Sequence, residues 1–325
     1  MPNLSIEHVS SPLKTPFAIS RGLKTSAETV RVVLRDGEHI GRGECVPYAR
    51  YGETVESVVD AIESVKSSIE SGTSKTDLQQ LLPAGAARCA VDCAMWDLEA
   101  KQTSIPVWQR AELPKPQPLR CTMSLSLDAP DAMAEAATQT PATLLKLKLG
   151  GPEDLDRIRA VHLARPDADL IVDGNEGLSL DDFAMLAEAA AQLGVKLIEQ
   201  PFPAGEDSHL KTGAYPLHIC ADESVHTSAD IRQLADRYTA INVKLDKAGG
   251  LTEAISMAKT AKQLGLQIMV GCMVGGSLSM APALLVAGLA DFVDLDGPLW
   301  LNEDIEQGLN YQDGMVFPAS EVLWG

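Results

Sequence analysis

The chain has 325 residues, 45% hydrophobic and 22% charged, a composition that suits an ordinary globular core large enough for a barrel with an attachment. Its 45 acidic against 27 basic residues give a formal net charge of −18, which argues against nucleic acid or an anionic membrane as partner. The six cysteines are scattered, with no CxxC and no Cys/His pair at zinc spacing, so neither a disulfide framework nor a structural zinc is expected.

The first residues, MPNLSIEHVSSP, lack a basic stretch followed by an apolar core, and the longest apolar run, APALLVAGLA, is too short to span a bilayer. A cytoplasmic location is the expectation. Alternating segments at 4–9, 29–34 and 40–45 predict antiparallel strands. Helical spacing follows at 55–70 and 86–101, where Cys89 and Cys93 fall one turn apart as buried small hydrophobes. The Pro-rich LPKPQP at 113–118 then marks a domain boundary.

Beyond it the pattern becomes regular. Strands are predicted to begin near Leu119, Thr143, Ala168, Val195, Pro216, Ala240, Gln267 and Phe292, with helices at 155–164, 181–193, 229–238 and 251–264. Eight strands at this rhythm predict an α/β fold with a closed parallel barrel over residues 119–298, since no Gly-rich dinucleotide fingerprint follows the first strand. Residues 1–118 read as a mixed α+β unit, the capping domain in the resemblance given below, onto which the irregular tail 299–325 is expected to cross back.

The chemistry lies at the strand ends, which in parallel barrels form the functional face. LIVDGNE, KLIEQP and HICADES end three successive strands with Asp173, Glu199 and Asp222. Three hard oxygen ligands without His or Cys suit Mg²⁺. TLLKLKLG carries Lys146 and Lys148 two residues apart, on one face of a strand, and AINVKLD carries Lys244. Lys148 and Lys244 flank the carboxylates as an acid/base pair, each with its pKa expected to be lowered by nearby cations. FVDLDG places Asp294 and Asp296 on one face, where two carboxylates want a cation.

LKLKLG, IVDGNE, IEQP, ADES and INVKLDKAGGLTEA, in this order, resemble the enolase superfamily, specifically its muconate-lactonizing-enzyme-like subgroup. The resemblance covers nearly the whole chain and implies a (β/α)7β barrel, Mg²⁺ on Asp173, Glu199 and Asp222, and Lys148 and Lys244 as catalytic bases. The Asp-x-Asp of the eighth strand, with GECVPYARYGE in the cap, is similar to the dipeptide epimerases, in which such aspartates hold the α-ammonium. An L-Ala-D/L-Glu dipeptide from cell-wall peptide is the implied substrate. It would lose its α-proton to one lysine through a metal-stabilised enediolate and regain one on the opposite face from the other.

Lys146 would lie beside the substrate carboxylate, and Asn175 and Glu223 would orient their neighbouring ligands. Arg21 in the cap is the expected partner of the Glu side chain, with Lys24 and Arg50 as rivals. Open alternatives are an o-succinylbenzoate synthase or cycloisomerase on the same scaffold, and a non-catalytic dipeptide-binding protein. An oligomer is compatible with the sequence.

Overall fold

The structure is a computed structural model and describes residues 1–19 and 22–325. It opens with an antiparallel meander of β1 (Asn3–Ile19), β2 (Gly22–Asp36) and β3 (His39–Cys45). The first two strands are longer than their alternation implies. Pairing resumes after an irregularity and brings Phe17 opposite Lys24, at the wall of the central cavity. Four helices follow: α1 (Val55–Glu70), α2 (Lys75–Leu81), α3 (Ala86–Thr103) and α4 (Val107–Arg110). A capping box of Thr54 and Ser57 starts α1, which buries Val58, Ile62, Val65 and Ile69 along one stripe.

Helix α3 lies directly on β3. An added Cβ at Gly43 would stand 2.1 Å from the Ala90 carbonyl oxygen, and one at Gly41 2.3 Å from that of Ala94. The alternate glycines of IGRGEC are therefore the places where strand and helix backbones meet.

The strand expected at Leu119 proves to be β4 (Leu119–Arg120), which pairs with Met315–Val316 of the tail rather than with the barrel. The chain changes partner at the next two residues: Cys121 N donates to Gly314 O at 2.9 Å and Thr122 N to Val293 O at 2.8 Å. The barrel then begins with β5 (Met123–Leu125), α5 (Pro130–Thr138), β6 (Leu144–Lys148), α6 (Asp154–Ala164), β7 (Asp169–Asp173), α7 (Leu180–Gln192) and β8 (Val195–Glu199). It continues through β9 (His218–Ala221), α8 (Ser228–Leu234), β10 (Ala240–Val243), α9 (Leu245–Ala248), α10 (Leu251–Gln263), β11 (Gln267–Gly271), α11 (Ser277–Ala287) and β12 (Phe292–Asp294).

These eight strands lie in sequential order, all parallel, and the Thr122 to Val293 bond bridges the first edge to the last. One connection departs from the βα rhythm, since none of the described residues 200–217 is helical. The tail adds β13 (Tyr311–Gln312) and β14 (Met315–Val316). Its last residues then return to α3, with Trp324 Nε1 donating to Cys93 O at 3.2 Å and Gly325 N to Asp97 Oδ1 at 2.7 Å. Among the described residues no helix is long and apolar enough to cross a membrane.

Candidate active site

Every second residue of a barrel strand points inward. Leu144, Ile171, Leu197, Cys220, Ala240 and Met269 form a buried apolar plug, with Phe292 packed against it. Two residues further along the same strands stand Lys146, Asp173, Glu199, Asp222, Asn242, Gly271 and Asp294. The polar members of this ring are all buried. Another step of two reaches Lys148, Asn175, Lys244 and Asp296, also buried. A charged ring thus sits on an apolar floor.

Lys146 lies at its focus, with Nζ 2.7 Å from Asp294 Oδ2, 2.6 Å from Glu199 Oε2 and 3.2 Å from Asp173 Oδ2. Lys148 Nζ donates to the same Asp173 oxygen at 2.7 Å. On the other side Lys244 Nζ donates to Asp222 Oδ2 at 2.6 Å, and Lys247 Nζ to Asp222 Oδ1 at 2.5 Å. Glu199 Oε1 accepts from Asn242 Nδ2 at 2.6 Å. Asn175, in the left-handed region at φ 43°, donates its backbone N–H to Asp173 Oδ1 at 2.9 Å. Asp294 accepts from the Thr122 hydroxyl, and Asp296 Oδ2 from Ser124 N at 2.7 Å and Trp300 Nε1 at 3.4 Å.

Burial opposes each of these charges, and the neighbours decide the outcome. For Lys146 it is outweighed by Asp294, Glu199 and Asp173, which hold the ammonium well above its ordinary pKa. Lys244 behaves likewise under Asp222 and Glu199. Carboxylates meet the Lys244 Nζ directly and outweigh the lowering that burial and Lys146 supply. Burial also disfavours the Asp173 and Asp222 anions, but Lys148 and Lys146 hold the first down, and Lys244 and Lys247 the second. Glu199 is raised to about 7 by burial and by Asp173, and Asp296 to about 6 by burial and by Asp294.

Asp173, Glu199 and Asp222 offer buried carboxylate oxygens from three successive strands, a donor chemistry that fits Mg²⁺. Glu199 Oε2 meets only the Lys146 ammonium, at 2.6 Å, and has no hydrogen-bond partner, so a cation already sits where this oxygen faces. Among the described residues no three such side chains stand in coordinating geometry.

Above the ring lies a cavity of about 70 Å³. Lys146, Lys148, Asn175, Asp222, Glu223, Lys244, Asp294 and Asp296 line it from the barrel, and Phe17, Ile19, Lys24, Tyr48 and Tyr51 from the N-terminal part. Asp173 and Glu199 sit behind its wall, each against Lys146. Arg21 lies outside the described residues. Of its rivals, Lys24 lines the cavity with Nζ 4.8 Å from the Tyr48 ring centroid, whereas Arg50 makes two 2.8 Å hydrogen bonds to Glu176. The sequence reading missed Asn242, Lys247, Thr122 and Ser124. Counting back two from Lys244 would have found Asn242, and the three-residue step from Lys244 would have found Lys247.

The description "Mandelate racemase / muconate lactonizing enzyme, N-terminal domain" matches residues 1–110, and "Enolase C-terminal domain-like" matches residues 129–321. The chain belongs to the enolase superfamily. It is 42% identical over 306 residues to the L-Ala-D/L-Glu epimerase of Escherichia coli K12, covering 93% of this chain and 95% of that one. It is 46% identical over 301 residues to an N-acetyl-D-glutamate racemase of Pseudoalteromonas, covering 90% and 94%.

Among solved structures it is similar to an Agrobacterium tumefaciens enolase family member with homology to dipeptide epimerases, holding sodium and L-Ala-L-Glu. The TM-score is 0.98 at 47% identity, with both chains fully covered. A Cytophaga hutchinsonii dipeptide epimerase complexed with Mg and D-Ala-L-Val matches at TM-score 0.90 and 26% identity, over 98% of this chain and 94% of that one.

Proposed function

We propose that the protein is a Mg²⁺-dependent dipeptide epimerase that inverts the Glu α-carbon of L-Ala-D/L-Glu. The observation that carries the reading is Asp296. It is buried, faces the same cavity as Lys148 and Lys244, and has no ion-pair partner among the described residues, only two N–H donors. A buried carboxylate in that state calls for a cation from the ligand, and a dipeptide brings its α-ammonium. An N-acetyl amino acid brings none.

In this reading Asp173, Glu199 and Asp222 would hold the metal, which would supply the positive charge that makes the α-proton of a carboxylate acidic enough to remove. Lys148 and Lys244, from the second and sixth barrel strands, address the α-carbon from opposite faces. One takes the proton at Nζ and the other delivers one. Lys146 keeps the carboxylates together, Asn175 and Glu223 orient the neighbouring ligands, and Asp294 and Asp296 receive the ammonium. Arg21 or Lys24 meets the Glu side chain. Phe17, Tyr51 and Trp300 exclude water from above. Residues 1–118 and 299–325 act as the cap of the barrel.

The test is proton NMR of L-Ala-L-Glu and, separately, N-acetyl-L-glutamate with the protein and Mg²⁺ in D₂O. The reading expects loss of the Glu α-hydrogen signal with growth of the L-D diastereomer, both abolished by a chelator. Turnover of the N-acetyl compound alone would overturn it in favour of an N-acylamino acid racemase.

A further inference from the structure

Lys247 is a buried lysine that the reaction above does not use. Only 1% of it is exposed, and its ion-pair partner is Asp222. Nζ donates to Asp222 Oδ1 at 2.5 Å, to the Asp222 backbone oxygen at 2.5 Å and to Asn242 O at 3.3 Å. All three acceptors belong to the ends of β9 and β10, and Lys247 does not line the catalytic cavity. Burying an ammonium is costly unless its partners are well placed, so its presence here asks for a reason.

The division of Asp222 between two lysines supplies one. Lys244 holds Oδ2 and Lys247 holds Oδ1, both reaching back from one short turn of chain. Each carboxylate oxygen thus has its own ammonium partner, and the one on Oδ1 stands outside the lining of the cavity that Lys244 faces. The main chain at Asp222 is fixed separately, since its N–H donates to Gln200 Oε1 at 2.8 Å. What Lys247 adds is control of the carboxylate's rotation.

We propose that Lys247 is a positioning residue that locks the Asp222 carboxylate for metal binding, independently of Lys244. The proposal rests on reading Asp222 as a ligand. Its test compares full-length wild type with Lys247→Met and Lys247→Arg in three measurements. These are calorimetric Mg²⁺ binding without substrate, kcat and KM for L-Ala-L-Glu, and thermal unfolding.

Lys247→Met is expected to bind Mg²⁺ at least tenfold more weakly and to lose at least thirtyfold in kcat, with KM within threefold. Lys247→Arg is expected to recover most of both losses. Should Lys247→Met not fold, Lys247→Gln takes its place in the same comparison. Wild-type Mg²⁺ affinity in the neutral variant overturns the proposal whatever the activity does. A wild type that binds Mg²⁺ but leaves L-Ala-L-Glu unchanged overturns the substrate reading alone, and the calorimetry still reads Lys247. A wild type that binds no Mg²⁺ overturns both.

Discussion

Asn242 donates to Glu199 Oε1 at 2.6 Å in space that Gly271 leaves open on the adjacent strand. An added Cβ at Gly271 would stand 2.6 Å from Asn242 Oδ1 and 2.7 Å from Nδ2, closer than real contacts allow. The glycine is there for close approach, because its backbone is not among the positive-φ residues. Gly271→Ala must therefore push Asn242 off Glu199 or strain β11. It is expected to cost about 1–3 kcal/mol in denaturant unfolding. At temperatures where the variant is fully folded, kcat should still fall at least tenfold. Wild-type stability and kcat together would mean that the ring has room to spare.

Lys148 bonds Asp173 and Lys244 bonds Asp222, so the two lysines are anchored on different strands at different sides of the carboxylate set. If each serves one face of the α-carbon, Lys148→Met and Lys244→Met both lose epimerisation by roughly 10²–10⁴-fold. Their residual chemistry should differ. In D₂O each variant is expected to exchange the α-hydrogen of one diastereomer only, and the two variants opposite ones. Equal loss of exchange for both diastereomers in either variant would contradict the two-base arrangement.

The rhythm of strands and the charged strand ends were readable because alternation and spacing are local properties of a chain. Asp173, Glu199, Asp222 and the lysines could be placed on one rim for that reason. What escaped the reading depends on distant partners. Leu119 looked like the start of the barrel, yet its partner Val316 lies in the tail. The segment 200–217 lacks a helix and is instead organised by polar groups. Gln200 accepts from Asp222 N and Ser224 N and donates to Phe202 O, and Tyr238 OH donates to Asp207. The rise that carboxylates impose on the Lys244 pKa also escaped the reading, because it depends on how close Asp222 comes, and spacing along the chain does not reveal that.

Asp294 also pairs with Lys146 at 2.7 Å, whereas Asp296 has no ion-pair partner among the described residues and depends most on the substrate's ammonium. Asp296→Asn keeps the size and an oxygen for the Ser124 N–H but removes the charge. The expected result is a KM for L-Ala-L-Glu raised at least tenfold, since breaking one side of a buried ionic contact costs on the order of 2 kcal/mol or more. The change in kcat should be smaller. Any activity on N-acetyl-L-glutamate should be unchanged or improved, because that substrate has no ammonium to lose. Steady-state kinetics on the two substrates decides the point, and equal KM effects on both would rule out an ammonium contact.

Asp246 joins the N-terminal domain to the barrel beside Lys244, and its raised pKa predicts that this junction responds to pH. Its Oδ1 accepts from Val46 N at 2.8 Å. Burial raises its pKa to about 7, with Glu53 and Glu44 adding to the rise and the Val46 N–H and Lys244 opposing it. An unfolded aspartate titrates near roughly 4. Between these values the folded chain keeps a proton that the unfolded chain has released. Its contribution to stability is thus greatest below about pH 4 and declines as pH rises to about 7, then stays constant. Asp246→Asn cannot titrate, and its amide oxygen can still accept from Val46. Urea unfolding of both proteins from pH 5 to pH 8 is expected to show the variant gaining on wild type as pH rises, by on the order of 1 kcal/mol or more. A difference that is flat across this window would mean that Asp246 is ionised throughout and that the cap junction carries no pH response, and one that moves in favour of wild type would contradict the raised pKa.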